Sequence, residues 1–403
     1  MSTKVQESAA VDNAVDFDIT PETQRRIELD TFTGRTEAMV DAFAATGKAV
    51  LFEGPIGFGK TSFFRDYAAK RNRPMYLFNV ALQQAEDLAG HPRAVTKEID
   101  GKSVEVTVKT MNEWFYHVVS RDHNAIIVMD EIKNADPDRQ AAFLTFMQDR
   151  EIDGVKLPDE VTIIALCNPT DISANGFDFS GPAANRFCHV KWEFPRVEMI
   201  DLMSMNFGRQ TPEHEQEFRS LVTTYLRSNE GMLHRMPEEK DELEAGWPSP
   251  RSWDNAIKVV SNLPDHDGLR DRVIMGYVGN AAAVDFRAWT SNNRVPAVRP
   301  ILQGIADNPG KPSAYPWDDK YASDSSTVLR FCHNLVATVS DSHELFDAAC
   351  SFLVEANAKG FGPQSASMVP KIMRPDVRGP ENTRFPVEMV AAFNDQFKQS
   401  FGD

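Results

Sequence analysis

The sequence predicts an α/β fold: a parallel sheet with helices on both faces, continued by a helical region. Three observations predict it. Five apolar runs of strand length lie between residues 49 and 194, separated by helical patterns. A glycine-rich turn, "GPIGFGKT" (54–61), follows the first run and opens a helix. Beyond about residue 195 the apolar spacing becomes helical. Short, nearly continuous apolar runs suit strands buried on both faces, as a parallel sheet requires.

Composition sets the outer limits. The chain has 403 residues, enough for two or three domains. Hydrophobic residues make up 42% and charged residues 25%, an ordinary globular balance rather than a disordered one. No apolar run approaches the ~18 residues of a membrane span. The start, "MSTKVQESAAVDNAVDFD", lacks the charged-then-apolar order of a secretion signal, so a cytoplasmic location is expected. Net charge is −16, from 43 basic and 59 acidic residues. Binding to a nucleic-acid backbone calls for a basic face, so this balance argues against DNA or RNA as the main partner. Cys167, Cys188, Cys332 and Cys350 are widely spaced with no paired-ligand pattern. Core packing is therefore expected for them rather than zinc, in spite of the repeated Phe-Cys-His tripeptide at 187–189 and 331–333.

Taken in order, residues 1–28 are expected to form a flexible N-terminal segment, with Thr20-Pro21 as a helix start. A nucleotide-binding α/β domain is expected over 29–195. Its strands are "AVLFEG" (49–54), "MYLFNV" (75–80), "AIIVMDE" (125–131), "VTIIALCNP" (161–169) and "HVKWEF" (189–194). Two Asp-Gly turns mark hairpin inserts. One is centred on Asp100-Gly101 within 95–108, the other on Asp153-Gly154 within 150–158. A helical lid is expected over 196–292. There Thr211 and Ser249 read as caps, each followed by a proline at the first helical position. Phe218, Leu221, Val222, Tyr225 and Leu226 form one apolar stripe, and Trp253, Ala256, Ile257 and Val260 a second. A C-terminal helical extension is expected over 293–403, with helices near 325–339 and 342–358. The later "KGFGPQS" (359–365) reads as a helix stop and turn.

The candidate site starts at the glycine-rich turn. Strand, turn, Lys-Thr and helix form the context of a phosphate-binding loop, in which backbone N–H groups turn inward toward an anion. Gly54, Pro55, Ile56, Gly57, Phe58, Gly59, Lys60, Thr61 and Ser62 are the expected nucleotide-binding residues. Lys60 suits the β and γ phosphates of ATP, and the Thr61 hydroxyl suits Mg²⁺. The run "AIIVMDE" delivers Asp130 and Glu131 at the end of a buried strand, where ligands of α/β sheets bind. Asp130 is expected in the Mg²⁺ shell and Glu131 as the group that orients attacking water. Asn168 ends an apolar strand and is expected to reach that water or the γ-phosphate. Asn79, ending "YLFN", is a candidate for restraining Glu131.

The order and spacing of these motifs resemble an AAA+ ATPase, and within that superfamily the MoxR-like branch, over roughly residues 30–265. "FTGRTEAM" (32–39) is similar to the entry segment near the adenine. "GPIGFGKT" is similar to Walker A, with Ile56 and Phe58 where commoner versions carry Pro and Thr. "MDEIKNADPDRQAAFLTFMQDREIDG" (129–154) resembles the MoxR-like Walker B strand, its following helix and the hairpin before sensor 1. "ALCNPTD" resembles sensor 1. "PAANRF" (182–187) resembles the arginine-finger segment, which implies that role for Arg186. "PSPRSW" (248–253) resembles sensor 2, which implies that role for Arg251. The hairpin at 95–108 corresponds to the helix-2 insert of this clade. Arg251 lies in the first turn of its helix, where its charge opposes the helix dipole unless a phosphate sits opposite.

The resemblance implies an ATP-hydrolysing chaperone or remodelling ATPase in a head-to-tail ring, with a hexamer expected. It also implies a protein client, engaged through a partner carrying a von Willebrand factor A domain. Two other classes stand beside it: a nucleotide-dependent scaffold or switch without turnover, and a DNA-directed motor or loader. An intact Glu131 and Arg186 argue against the first, and the acidic charge against the second.

Overall fold

The computed structural model describes residues 14–16, 25, 28–169, 176–179, 181–237, 245–264, 266–293, 296–311, 313–379, 381–382 and 384–401. The chain divides into two compact units, Phe32–Phe194 and Met1–Thr31 with Pro195–Asp403.

In chain order, β1 (Ala14–Asp16) belongs to the second of these units. The α/β unit begins with α1 (Phe32–Thr46), β2 (Val50–Glu53), α2 (Lys60–Lys70) and β3 (Met75–Asn79). It continues with α3 (Ala85–Ala89), the hairpin β4 (Pro92–Ile99) and β5 (Lys102–Lys109), α4 (Glu113–Ser120) and β6 (Ile126–Asp130). A 3-10 turn (Ile132–Asn134), α5 (Pro137–Asp149), the hairpin β7 (Glu151–Ile152) and β8 (Val155–Lys156), and β9 (Thr162–Cys167) follow. The unit closes with α6 (Gly181–Ala184) and β10 (Cys188–Lys191). The five expected strands form one sheet in the order β10-β2-β9-β6-β3, with all pairs parallel.

The central strands β2, β9 and β6 are buried on both faces, and strand alternation sorts the side chains between two cores. Val50, Phe52, Ile126, Val128, Ile164 and Leu166 pack with Val40 of α1 and with Phe64, Tyr67 and Ala68 of α2. Their neighbours Leu51, Ile127, Met129, Ile163, Ala165 and Cys167 pack with Phe115 and Val118 of α4 and Phe143 and Met147 of α5. Every residue of β9 is buried. That explains the unbroken apolar run in the sequence.

Both Asp-Gly hairpins form. Asp100 and Gly101 take φ of 53° and 75°, and Asp153 and Gly154 take 48° and 80°, the left-handed pair that a two-residue hairpin turn needs. The β4–β5 ribbon pairs over its whole length, from Pro92↔Lys109 to Ile99↔Lys102.

The second unit is helical. Its main helices are α7 (Arg196–Ser204), α8 (Glu213–Ser228), α9 (Pro250–Val260), α10 (Asp267–Asn292), α11 (Val298–Asp307), α12 (Ser325–Asp341) and α13 (Phe346–Ala358). Ser249 caps α9 as expected, its hydroxyl accepting from Ser252 N at 3.1 Å. Trp253, Ala256, Ile257 and Val260 are buried. On α8 the apolar stripe is joined by a buried polar set. Arg219 Nη2 reaches both Glu215, one turn earlier, and Asp254 Oδ1 of α9 at 2.9 Å. A further core joins α11, α12 and α13 around Phe331, Leu335, Phe346, Phe352 and Leu353.

Four local expectations change. Ala14–Asp16 lies in the segment expected to be flexible, yet it pairs antiparallel with β11 (Arg384–Pro386), because an open strand edge offers it backbone partners. Thr20-Pro21 lies outside the described residues. Thr211 does not cap α8. Its hydroxyl donates to Asp341 Oδ1 at 3.1 Å, and Pro212 occupies the cap position. Gly362–Ala366 is a short helix where a turn was expected, and Pro363 in its first turn favours that start. Cys188 is exposed, unlike the other three cysteines, because it stands in β10 at the edge of the sheet.

Candidate nucleotide site

The site is built where β2, β9 and β6 end. Strand β2 stops at Glu53, and the chain turns through Gly54–Phe58 into α2, whose cap is Gly59. Gly57 and Gly59 have φ of 83° and 70°, a conformation that glycine adopts without steric cost. Gly54 is needed for a different reason. A β-carbon there would stand 2.4 Å from Trp192 Cβ, so only hydrogen fits. Trp192 is buried among Phe32, Phe52, Phe63 and Phe64. Its indole N–H donates to Phe58 O at 3.2 Å. The loop therefore rests on an aromatic cluster, and the N-terminus of α2 supplies the partial positive charge suited to a phosphate.

Lys60 is buried, and its ammonium group donates to Gly54 O at 2.7 Å, Pro55 O at 2.9 Å and Asn168 Oδ1 at 2.9 Å. Asn168 thus meets the loop lysine directly, although 108 residues separate them in sequence. Thr61 Oγ1 donates to Asp130 Oδ2 at 2.5 Å. A hydroxyl and a carboxylate oxygen meeting at one point fit Mg²⁺, which takes a few protein oxygens and completes its shell with phosphate and water. No cluster of three or more His, Cys, Asp or Glu that could hold a metal occurs among the described residues, and all four cysteines are free.

Glu131 follows β6 in a left-handed conformation, with φ of 56° and ψ of 33°. Such backbone is costly for a residue with a side chain and persists only where neighbours hold it. Its N–H donates to Asp130 Oδ1 at 2.9 Å, and its carboxylate accepts from Asn79 Nδ2 at 3.1 Å. The other Asn79 amide atom, Oδ1, is buried without a partner.

Lys60, Thr61, Asp130, Glu131 and Asn168 therefore lie at the carboxyl ends of adjacent strands of one sheet. Arg186 is exposed and lies two residues before β10. Arg251 is exposed in the first turn of α9, in the other unit. Ser62 is exposed, and Ile56 and Phe58 are half-buried.

Three residues of this region escape a reading of the sequence. Trp192 lies inside "HVKWEF" and reads there as one more apolar strand residue. Glu53 ends β2 and accepts from Lys133 Nζ at 2.5 Å and from Lys191 of β10. Burial raises the pKa of the Glu53 carboxyl, but the bonds and charges of Lys133 and Lys191 outweigh it, for a net fall to about 2. A charged residue closing an apolar strand is the available signal for Glu53, and a lysine just after the Asp-Glu pair is the signal for Lys133.

Residues 50–175 match the model of AAA, the ATPase family associated with various cellular activities. Curated relatives include the mitochondrial Lon protease homolog of Yarrowia lipolytica, 30% identical over 146 residues, which are 32% of this chain and 11% of that protein. The human mitochondrial Lon protease homolog is 29% identical over 142 residues, 31% of this chain and 13% of that protein. The chain thus spans a small part of these relatives. Similar solved structures include NtrX of Brucella abortus, with a TM-score of 0.35 and 13% identity over 83% of this chain and 68% of that one. A RuvB variant of Thermotoga maritima has a TM-score of 0.35 and 14% identity over 68% and 76% of the respective chains. The glycine-rich loop and strands β2, β3, β6 and β9 of the parallel sheet thus lie within the stretch, residues 50–175 of the α/β unit, that matches the AAA ATPase family.

Proposed function

We propose that this chain hydrolyses ATP in a head-to-tail ring and uses the cycle to remodel a protein client, as the MoxR-like branch does. The observation that carries the reading is the meeting of Lys60, Asn168, Thr61 and Asp130, with Glu131 beside them. Loop amides and Lys60 hold the β and γ phosphates. Thr61 and Asp130 would hold Mg²⁺, which when bound would supply positive charge to the phosphate oxygens. Glu131 accepts a hydrogen bond from the attacking water. As the water oxygen bonds to the γ-phosphorus, the bond to the ADP oxygen breaks, and the water proton leaves with the phosphate. Asn168 stands beside Lys60 and senses the γ-phosphate. Asn79 holds the Glu131 carboxylate away from this work until the site is assembled.

Arg186 is exposed, as a residue that completes a neighbour's site must be. Arg251 serves as the second phosphate sensor from α9. We divide the helical unit into a lid over 196–292 and an extension over 293–403. The two hairpins face the client, a partner with a von Willebrand factor A domain brings it, and the ring works in the cytoplasm. No helix among the described residues is long and apolar enough to cross a membrane. A scaffold that only binds nucleotide has no use for a restrained glutamate at this position, which favours turnover.

Glu131→Gln tests the reading. The variant should bind ATP within a few-fold of the native protein and lose hydrolysis by about 10²-fold or more. Affinity capture with this variant in ATP should retain the client. Native-level turnover in Glu131→Gln would remove Glu131 from the mechanism.

A further inference from the structure

We propose that Lys133 and Glu53 are positioning residues for hydrolysis, an ion pair that fixes the Glu131 turn against the phosphate-loop strand. The inference rests on the ATPase reading above and adds two residues to it. Glu53 is the last residue of β2, directly before Gly54, and Lys133 lies in the 3-10 turn directly after Glu131. Strands β2 and β6 are not neighbours, since β9 runs between them. Lys133 therefore reaches across the end of β9 to set its Nζ 2.5 Å from Glu53 Oε2. On the way the pair passes Cys167, the last residue of β9, whose Sγ is 3.8 Å from the same carboxylate oxygen. Cys167 immediately precedes Asn168. One buried ion pair thus ties the ends of the three strands that carry the loop, Asn168 and Glu131.

Two facts show why a pair is needed there. Glu131 is held in the left-handed region, and hydrogen bonds to Asp130 and Asn79 fix its amide and its carboxylate. Asn134 N closes the following turn by donating to Glu131 O at 2.9 Å, but none of these bonds ties the turn to β2. Lys133 supplies that tie through Glu53. Ile132 is fully buried, and Lys133 O accepts from Phe177 N at 2.8 Å, so the turn is bound on both sides of the ion pair. Lys133 itself is only 9% exposed. Burying an ammonium group is costly unless a carboxylate compensates it. The two partners are not equivalent. Glu53 keeps Lys191 when Lys133 is removed, whereas Lys133 loses its carboxylate when Glu53 is removed.

The experiment compares Lys133→Met, Lys133→Arg, Glu53→Gln and the Glu53→Gln/Lys133→Met double variant. For each, turnover at saturating ATP, the dissociation constant for a fluorescent ATP analogue and Tm are measured. Lys133→Met should lower turnover by about 10- to 100-fold, the scale of a misplaced catalytic group. Affinity should stay within about twofold and Tm close to native. Lys133→Arg should restore most of the turnover. Glu53→Gln should lower both turnover and Tm, and adding Lys133→Met should bring Tm back up by removing the uncompensated charge. Native turnover in Lys133→Met overturns the proposal, as does a loss of affinity in step with turnover, which makes Lys133 a phosphate ligand. A fall in Tm that accounts for the lost turnover also overturns it, by reducing the pair to a fold element. Absence of turnover in the native protein itself strikes the ATPase reading instead.

Discussion

At the scale of single residues, the site depends on groups whose environment sets their state. The Glu53 carboxyl is the clearest case, since two lysines hold its pKa at about 2 against the ordinary 4.5. A carboxyl whose pKa is depressed in the folded state adds stability above its unfolded pKa and loses that contribution as pH falls toward the folded value. The native protein should therefore exceed Glu53→Gln in stability by a constant margin above pH about 5, shrinking between roughly 4.5 and 2. Urea unfolding of both proteins between pH 6 and 3 measures this. A margin that does not change with pH removes the charge of Glu53 from the account. Gly54 and Glu131 make a different point at the same scale. One is a glycine because Trp192 leaves no room for a β-carbon, and the other is a non-glycine in the left-handed region, as the proposed role of its side chain requires.

At the scale of elements, helix α9 shows how position is enforced. Ser249 and Pro250 start it, and Trp253 and Ile257 bury one face. Its attitude toward α8 is set by Asp254, which accepts from Arg219 Nη2 at 2.9 Å. Arg219 is 1% exposed, and it also bonds Glu215 and donates to Met203 O at 2.6 Å. Removing the arginine leaves the buried Glu215 carboxylate without its cation and Asp254 with Lys258 alone. Arg219→Met should cost about 3–5 kcal/mol, the usual cost of breaking a buried pair from one side. Chemical denaturation checks it, and a loss below about 1 kcal/mol, the value of an exposed pair, would show that solvent reaches the cluster. The sequence stripe on α8 marks Val222, Tyr225 and Leu226 correctly as core. It does not mark Glu215 and Arg219, because a charged pair one turn apart reads as a solvated helix face until its packing is known.

At the scale of the whole molecule, the proposed ring makes the active site a shared one. Arg186 is exposed, and the proposal presents it to a neighbouring subunit. Arg186→Ala should bind ATP and hydrolyse it poorly. Lys60→Ala should fail to bind, yet still offer a native Arg186. Mixed in varying ratio, the two should recover part of the turnover that neither shows alone. If no ratio recovers it, Arg186 does not act across an interface, and the head-to-tail arrangement loses its catalytic reason.

The sequence alone determined the parts that short-range physics controls. The five strands, the two Asp-Gly turns, the phosphate loop and the Ser249 cap all follow from periodicity and local backbone preference within a few residues. It also placed Asp130 and Glu131 at a strand end, since carboxylates that close a buried run must meet a cation, a donor or water there. Only the tertiary structure decided the strand order, and with it every partnership that crosses the sheet. Lys133 lies 80 residues from Glu53, Lys191 lies 138 from it, and Trp192 lies 134 from the loop carbonyl that it holds. No local preference encodes such pairings. They exist because the sheet sets β10 beside β2, and β9 between β2 and β6, and for Lys133 and Trp192 burial makes a protein partner necessary.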